Sequence, residues 1–205
     1  MPKILIAVPC LDMVCADFAF ALSRLVLHGG APATVIDVRG SGFVVARNSA
    51  AKMAVDGDYT HLLFLDSAMV FPADTMMRLL AHGKPVVGAT YVRRVAPYNL
   101  LGAFPGASVA SEGLIEALEL PAGCLLINVA VLRKIGWPWF WEEYGEHAGE
   151  RTGEDIWFCR KVTAAGVPIW ADMTLTKELA HVGVKQYRVE DGIDFLRRQR
   201  AAEGK

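Results

Sequence analysis

The sequence predicts an α/β protein: one domain built on a doubly wound, mostly parallel sheet with helices on both faces. Three observations carry that expectation. Short apolar runs at 4–8, 34–38, 61–66 and 86–90 alternate with helical-period segments at 13–28, 43–55 and 74–82, and strict β-α alternation is the mark of a parallel sheet wrapped by helices. The strand runs are apolar at every position rather than at every second one, as strands covered on both faces must be. The chain has 205 residues, 53% hydrophobic and 21% charged, enough for one substantial core and too apolar for general disorder.

Each element has its own signal. Residues 4–8 are rich in β-branched side chains and end at Pro9. In 13–28, Phe18, Leu22, Leu25 and Val26 fall on one helical face, and Gly29-Gly30 is a stop. After the strand at 34–38, Gly40-Ser41-Gly42 breaks the chain ahead of the helix at 43–55. The strand at 61–66 delivers Asp66 into a turn. Asp74 caps the short helix 74–82, Gly83 stops it, and 86–90 is the fourth strand. The second half is less regular: small residues over 98–119 suggest loop and edge strands, 123–128 a strand, 129–135 a short helix and 137–153 an aromatic, acidic loop. A helix at 155–165 ends at Gly166, short strands follow at 168–172 and 178–182, and a charged helix at 191–203 closes the chain.

Composition narrows the function. The formal net charge is -1, so no global field recruits nucleic acid or anionic membrane, and any such partner needs a local patch. Cys10, Cys15, Cys124 and Cys159 lack a C-x-x-C spacing and sit in apolar surroundings, as reduced, buried thiols of a cytoplasmic protein do. The first apolar run stops at Pro9, too short for a signal peptide, and no run of ~18 apolar residues occurs. A soluble intracellular protein without a membrane partner is expected. The chain contains no G-x-G-x-x-G, no G-x-x-x-x-G-K-[ST] and no G-x-S-x-G, so dinucleotide, P-loop and serine-hydrolase chemistry lack their loops.

The chemistry-bearing residues cluster where strands end, the side on which such sheets bind ligands. Asp66 serves equally well as a turn or capping aspartate or as a carboxylate facing a ribose or a metal-bound diphosphate. Glu154 and Asp155 open a helix: Thr152-x-x-Asp155 reads as a capping box, or Asp155, ionised at the positive helix end, can take a proton from an attacking hydroxyl. His181, at the end of a short strand, is a structural imidazole or a metal ligand. Arg47, beside Asn48, lies on a solvated helix face or near a nucleotide diphosphate. His28, His61 and His82 read as structural or surface residues, and His147 has no assigned role.

Taken together and in order, "ILIAVPCLD", "ARNSAA", "HLLFLDSAMVFP", "GCLLINVAVLRKIG", "GEDIWFCRKVTAAGVPIWAD" and "HVG" resemble the GT-A glycosyltransferases of the family-2 type. The resemblance spans about residues 3–187, and its most specific piece is the G-E-D helix followed by a "aaG-x-x-[IV]-w-x-D" strand. It implies a single GT-A domain over 1–205: a nucleotide-binding half at 1–95, an acceptor and catalytic half at 96–190 and a terminal helix at 191–205. It implies an inverting transfer from a nucleotide-sugar, first expected to be UDP-linked, with Mn²⁺ or Mg²⁺. Pro9 and Asp12 would line the nucleobase pocket, Arg47 would sit near the nucleotide, and Asp66 with Ser67 would face ribose and metal. His181 would be the later metal ligand, and Asp155, beside Glu154, the base.

The chain departs from that pattern at one position. The second acid of Asp-x-Asp, the principal metal ligand, is Ala68. The site then binds metal through Asp66, His181, diphosphate and water, or works without metal, or is impaired and only binds the nucleotide-sugar; the alanine reads as natural divergence or as a replaced acid. A nucleotidyltransferase would need a Gly-rich basic loop after the first strand, and "PCLDMVC" has neither glycine nor a basic residue. "VVGATYVRR" also resembles short phage-type glycosyltransferases, some of which modify hydroxymethylated pyrimidines in DNA. That makes modified DNA the first expected acceptor, ahead of a glycan. Arg93 and Arg94, Arg133 and Lys134, and Arg197, Arg198 and Arg200 can supply phosphate contacts. Trp137, Trp139, Phe140 and Trp141 can stack on a flipped base, fold over the site or hold an acceptor sugar. Replacing Ala68→Asp is expected to raise Mn²⁺ affinity or metal-dependent transfer; a folded variant that gains neither counts against the implied metal site.

Overall fold

The computed structural model describes residues 1–28, 30–106, 111–147 and 150–203. Gly29 of the expected helix stop, 107–110 of the small-residue segment and 148–149 of the aromatic loop lie outside them. The chain runs β1 (Ile4–Cys10), α1 (Ala16–His28), β2 (Ala33–Arg39), α2 (Phe43–Asp56), β3 (His61–Leu65), β4 (Met69–Val70), α3 (Thr75–Ala81) and β5 (Val86–Gly88). It continues through β6 (Leu114–Ala117), β7 (Cys124–Asn128), α4 (Val129–Ile135), β8 (Glu143–Tyr144), β9 (Arg151–Thr152) and α5 (Glu154–Ala164). It ends with β10 (Ile169–Asp172), α6 (Met173–Glu178), β11 (Ala180–Val182), β12 (Gln186–Tyr187) and α7 (Val189–Ala202).

The main sheet has seven strands in the order β2-β1-β3-β7-β5-β10-β6. β1 pairs in parallel with β2 and β3, and β10 with β5, while β7 runs against β3 and β5, and β6 against β10. Five strands therefore share one direction. Their apolar runs have the cause read from the sequence: alternate side chains feed two cores. Leu5, Ala7, Leu62, Phe64, Leu125 and Ile127 pack on one face with Ala50, Ala51 and Ala54 of α2, Val131 and Leu132 of α4 and Phe158 and Val162 of α5. Ile4, Ile6, Val8, Leu63, Leu65 and Leu126 pack on the other with Phe18, Ala21 and Leu25 of α1 and Met76 and Leu79 of α3. Each fully buried Leu, Ile or Phe contributes about 1.5–3 kcal/mol.

Two features carry the carboxyl ends of β1 and β3 toward a common site. β7 enters the sheet from that end, pairing Cys124 with Leu65, and Asp66 N–H donates to the Gly123 carbonyl at 3.0 Å. A small sheet, β12-β11-β4, sets His181 beside Met69, and Val182 N–H donates to the Ala68 carbonyl at 2.7 Å.

Several boundaries differ from the expected ones. α1 begins at Ala16 rather than 13: Cys15 Sγ accepts from Phe18 N–H at 3.3 Å, leaving 11–15 as a loop at the sheet's carboxyl end. β5 stops at Gly88 because Thr90 N–H turns to Thr176 Oγ1 (3.1 Å). α7 begins at Val189, where Asp191 Oδ2 accepts from Arg188 N–H at 2.7 Å. α6, unassigned in the sequence, starts on Asp172 Oδ1, which accepts from Leu175 N–H at 2.7 Å. The aromatic loop holds the β8–β9 hairpin, two residues a side. The four cysteines are free; Cys124 and Cys159 are buried, but Cys10 and Cys15 are half-exposed because the loop after β1 opens to solvent. Among the described residues no helix is long and apolar enough to cross a membrane.

The aromatic segment is fastened from beneath. Asn48 of α2 is buried; its Oδ1 accepts from Trp139 N–H (3.0 Å) and Phe140 N–H (3.2 Å), and its Nδ2 donates to the Phe140 carbonyl (2.7 Å) and the Val44 carbonyl (2.9 Å). Phe140 stacks on Phe158 (centroids 4.7 Å, 14°) and meets Phe64 edge-on (5.4 Å). Asn48→Ala orphans buried backbone groups at about 1–3 kcal/mol each. Urea unfolding is expected to show a loss of at least about 2 kcal/mol; a loss below the scatter of replicate curves would mean the segment is held by packing alone.

Candidate functional site

Arg47 lies one turn into α2 and is 2% exposed. Its Nε donates to Glu154 Oε1 (3.1 Å), its Nη2 to both Asp66 oxygens (3.0 and 3.2 Å) and its Nη1 to the Ala122 carbonyl (3.4 Å). The guanidinium also lies 5.1 Å from the Phe64 ring and 5.4 Å from the Phe43 ring. Burial opposes its charge, yet Asp66 and Glu154 together hold its pKa above the ordinary arginine value. The guanidinium is spent inside the protein, on Asp66, Glu154 and the Ala122 carbonyl. Glu154, expected in the catalytic pair beside Asp155, is buried and turned toward Arg47. The Asp66 side chain remains 20% exposed.

Asp155 follows Glu154 in the first turn of α5 but faces differently. The helix is capped by Gly153 without a side-chain bond, so the Thr152 capping box is not formed. Asp155 Oδ1 instead accepts from its neighbour's amide, Ile156 N–H, at 2.8 Å. Its carboxyl is half-buried, and burial first, then the charge of Glu154, push its pKa above the usual aspartate range. Tyr91 is buried, and its hydroxyl feels the charges of Asp66, Arg47 and Asp155, which places the four groups in one neighbourhood. A Cβ on Gly123 would run into that hydroxyl, so the backbone on which Asp66 rests has to be glycine.

His181 completes the neighbourhood. Its Nδ1 is 3.1 Å from the Val92 carbonyl. A carbonyl only accepts, so Nδ1 carries the proton and Nε2 keeps its lone pair. Burial first lowers the pKa of the ring, the nearby Arg94 lowers it further, and Asp66 opposes the shift. The ring stands edge-on to Tyr91 with centroids 4.8 Å apart.

Beside this network opens a cleft of about 390 Å³. Pro9, Leu11, Asp12 and Met13 line it from the loop after β1, Ser41 and Phe43 from the turn before α2, and Ser67 and Ala68 from the turn after β3. Arg94 closes one side. Pro9, Asp12, Ser67 and Ala68, picked from sequence, thus share one cavity, and Phe43 joins its wall to Arg47. Sequence reasoning missed Tyr91 and Gly123, gave Asn48 no role of its own, and grouped Arg94 with Arg93 as a source of phosphate contacts. Of the other basic residues picked from sequence, Arg133 donates to the Val55 carbonyl, Lys134 to the Ala165 carbonyl, and Arg197 pairs with Asp194. Trp139 is buried, while Trp137 and Trp141 are 66% and 52% exposed.

The residues do not fit a dedicated divalent-metal site. Asp66 already accepts on both oxygens from Arg47, Ala68 has no ligand atom, and His181 offers a single nitrogen, whereas Mg²⁺ and Mn²⁺ favour oxygen donors. Among the described residues no group of three or more His, Cys, Asp or Glu is placed to hold a metal ion.

Among solved structures the chain is similar to the crystal structure of A197 from STIV, with a TM-score of 0.65 and 20% identity over 89% of this chain and 86% of that one. At that identity the likeness speaks for the fold, and the chain has the GT-A-like α/β fold expected from sequence. No family model matches the chain, and no curated protein matches it in sequence.

Removing one partner from a buried charge network costs about 3–5 kcal/mol, whereas removing all its charges together costs much less. Arg47→Met is expected to lose about that much in urea unfolding, and adding Asp66→Asn and Glu154→Gln to it is expected to recover part of the loss. A single variant within about 0.5 kcal/mol of the wild type would show that the network contributes nothing.

Proposed function

We propose that the chain is an inverting glycosyltransferase that moves a sugar from a nucleotide-sugar, with UDP-sugars the first donors to test, to an acceptor hydroxyl. One observation supports this most: the cleft at the carboxyl ends of β1 and β3 is lined by Ser67 and Ala68, which follow Asp66 directly, and Arg47 ties Asp66 to Glu154, the neighbour of the half-buried carboxylate Asp155. The cleft volume falls in the range of small-ligand sites. In this reading Pro9 and Asp12 border the nucleobase, and Asp66 and Ser67 lie toward the ribose and diphosphate. Asp155 accepts the proton of the acceptor hydroxyl as its oxygen bonds the anomeric carbon. The bond from that carbon to the diphosphate oxygen breaks in the same step, the electron pair leaves with the diphosphate, and a single in-line displacement inverts the carbon.

A raised pKa makes Asp155 a stronger base than an ordinary aspartate. For the acceptor, hydroxymethylated pyrimidine in DNA stands first and a glycan second. The exposed faces of Trp137 and Trp141 suit an extruded base or an acceptor sugar alike. Ala68 favours one further reading, a binding protein that keeps the nucleotide-sugar cleft without turnover; release of UDP from UDP-sugar by the wild type separates the two.

Asp155→Asn is expected to lower transfer at least about 10²-fold while sparing UDP binding. In the wild type, kcat/KM is expected to fall as pH drops through a pKa above the usual aspartate range. The stability sign is opposite: a raised carboxyl pKa means that the folded state binds the proton more tightly, so ionising Asp155 destabilises the fold as pH rises through that range. The variant should therefore match or exceed the wild-type Tm at neutral pH. Near wild-type transfer by Asp155→Asn would remove Asp155 as the base.

A further inference from the structure

We propose that Arg94, rather than a divalent metal ion, meets the negative charge of the donor's diphosphate in this cleft; the inference rests on the nucleotide-sugar reading above. Ala68 stands at the position of the second acid of Asp-x-Asp, and Arg94 is its neighbour in the cleft. Ser67, Ala68 and Arg94 line the same cavity, and backbone bonds join them: the Ala68 carbonyl accepts from Val182 N–H at 2.7 Å, and the Val182 carbonyl accepts from Arg94 Nη1 at 3.1 Å. The guanidinium is thus anchored by one of its donors, and the others remain for a ligand. Arg94 pairs with no carboxylate among the described residues, unlike Arg39, Arg47, Arg78, Arg151 and Arg160.

The anchor is built into the chain. Gly183 lies against the Arg94 stem, and a Cβ there would come within 3.0 Å of Arg94 Cδ and 3.1 Å of the Tyr187 ring. Glycine at 183 lets the stem lie along the β11–β12 turn, so less rotamer freedom is lost when the head takes an anion. A planar guanidinium with donors to spare offers phosphate two parallel, charge-assisted bonds. His181 does not compete for this role, because its protonated Nδ1 is committed to Val92 and its Nε2 cannot donate. The alanine at 68 also fits. An acid there would stand in the same cavity as Arg94 and pair with it; an alanine leaves the guanidinium free for the substrate.

The experiment is calorimetric titration of the full-length protein with UDP, GDP, ADP, CDP and dTDP, each in EDTA and in Mn²⁺, and with the matching nucleosides. The wild type is expected to bind at least one diphosphate in EDTA with a Kd within about twofold of that in Mn²⁺. Arg94→Ala is expected to weaken that diphosphate about 10–100-fold and leave the nucleoside unchanged, with Arg94→Lys in between. Binding that appears only with Mn²⁺, or an Arg94→Ala variant that binds the diphosphate like the wild type, overturns the inference and leaves the nucleotide reading standing. Wild-type protein that is folded by circular dichroism yet binds none of the five in either medium overturns both.

Discussion

A guanidinium cannot be left uncompensated inside a protein, and in this chain Arg47 sets the terms for everything around it. Its partners come from two distant places, Asp66 at the end of β3 and Glu154 at the start of α5, the latter 107 residues away in sequence. Taking three charges out of water is costly, and the cost is offset only when each finds its donor or acceptor at the right distance. That requirement fixes where α5 begins relative to β3. Because Asp155 follows Glu154, fixing one fixes the other, and the two neighbours differ: Glu154 pairs with Arg47 and holds the helix end in place, and Asp155 stays half-buried with a raised pKa.

α2 is the common support. One turn of it places Arg47 beside Asp66 and Glu154 and Asn48 under the aromatic segment, Arg47 with four hydrogen bonds and Asn48 with four. The helix carries Ala46, Ala50, Ala51 and Ala54 toward the sheet, and small side chains let it lie close enough for both polar residues to reach. Stability and function then pull apart at a defined place. The network stabilises as a unit, whereas half-buried Asp155, its pKa raised by burial and by the charge of Glu154, opposes folding as pH rises and it ionises.

Much of the architecture was legible in the sequence because burial on both faces writes itself as unbroken apolar runs. β1, β3 and β7 show this plainly. What was not legible was short or depended on distant partners. α6 has six residues, too few to show a period, and β8 and β9 have two each. Pro9, Asp12, Ser67 and Ala68 could be grouped because ligands gather at the carboxyl ends of strands, and the structure puts them in one cleft. Arg47 could be singled out but not placed, since a charged residue near a helix start looks the same whether it faces water or two carboxylates. Arg93 and Arg94 read as one patch from adjacency, and of the two Arg94 lines the cleft.

The cleft therefore lies beside a network whose arginine is already paired with two carboxylates, and it has an edge where another arginine is paired with none among the described residues. A crystal structure of the protein with UDP bound tests this division most directly. The account predicts Arg47 still bonded to Asp66 and Glu154, with the diphosphate on the far side of that network between the Ser67–Ala68 turn and Arg94. A structure in which Arg47 leaves its carboxylates to grip the phosphates, or in which UDP occupies a different part of the surface, would contradict it.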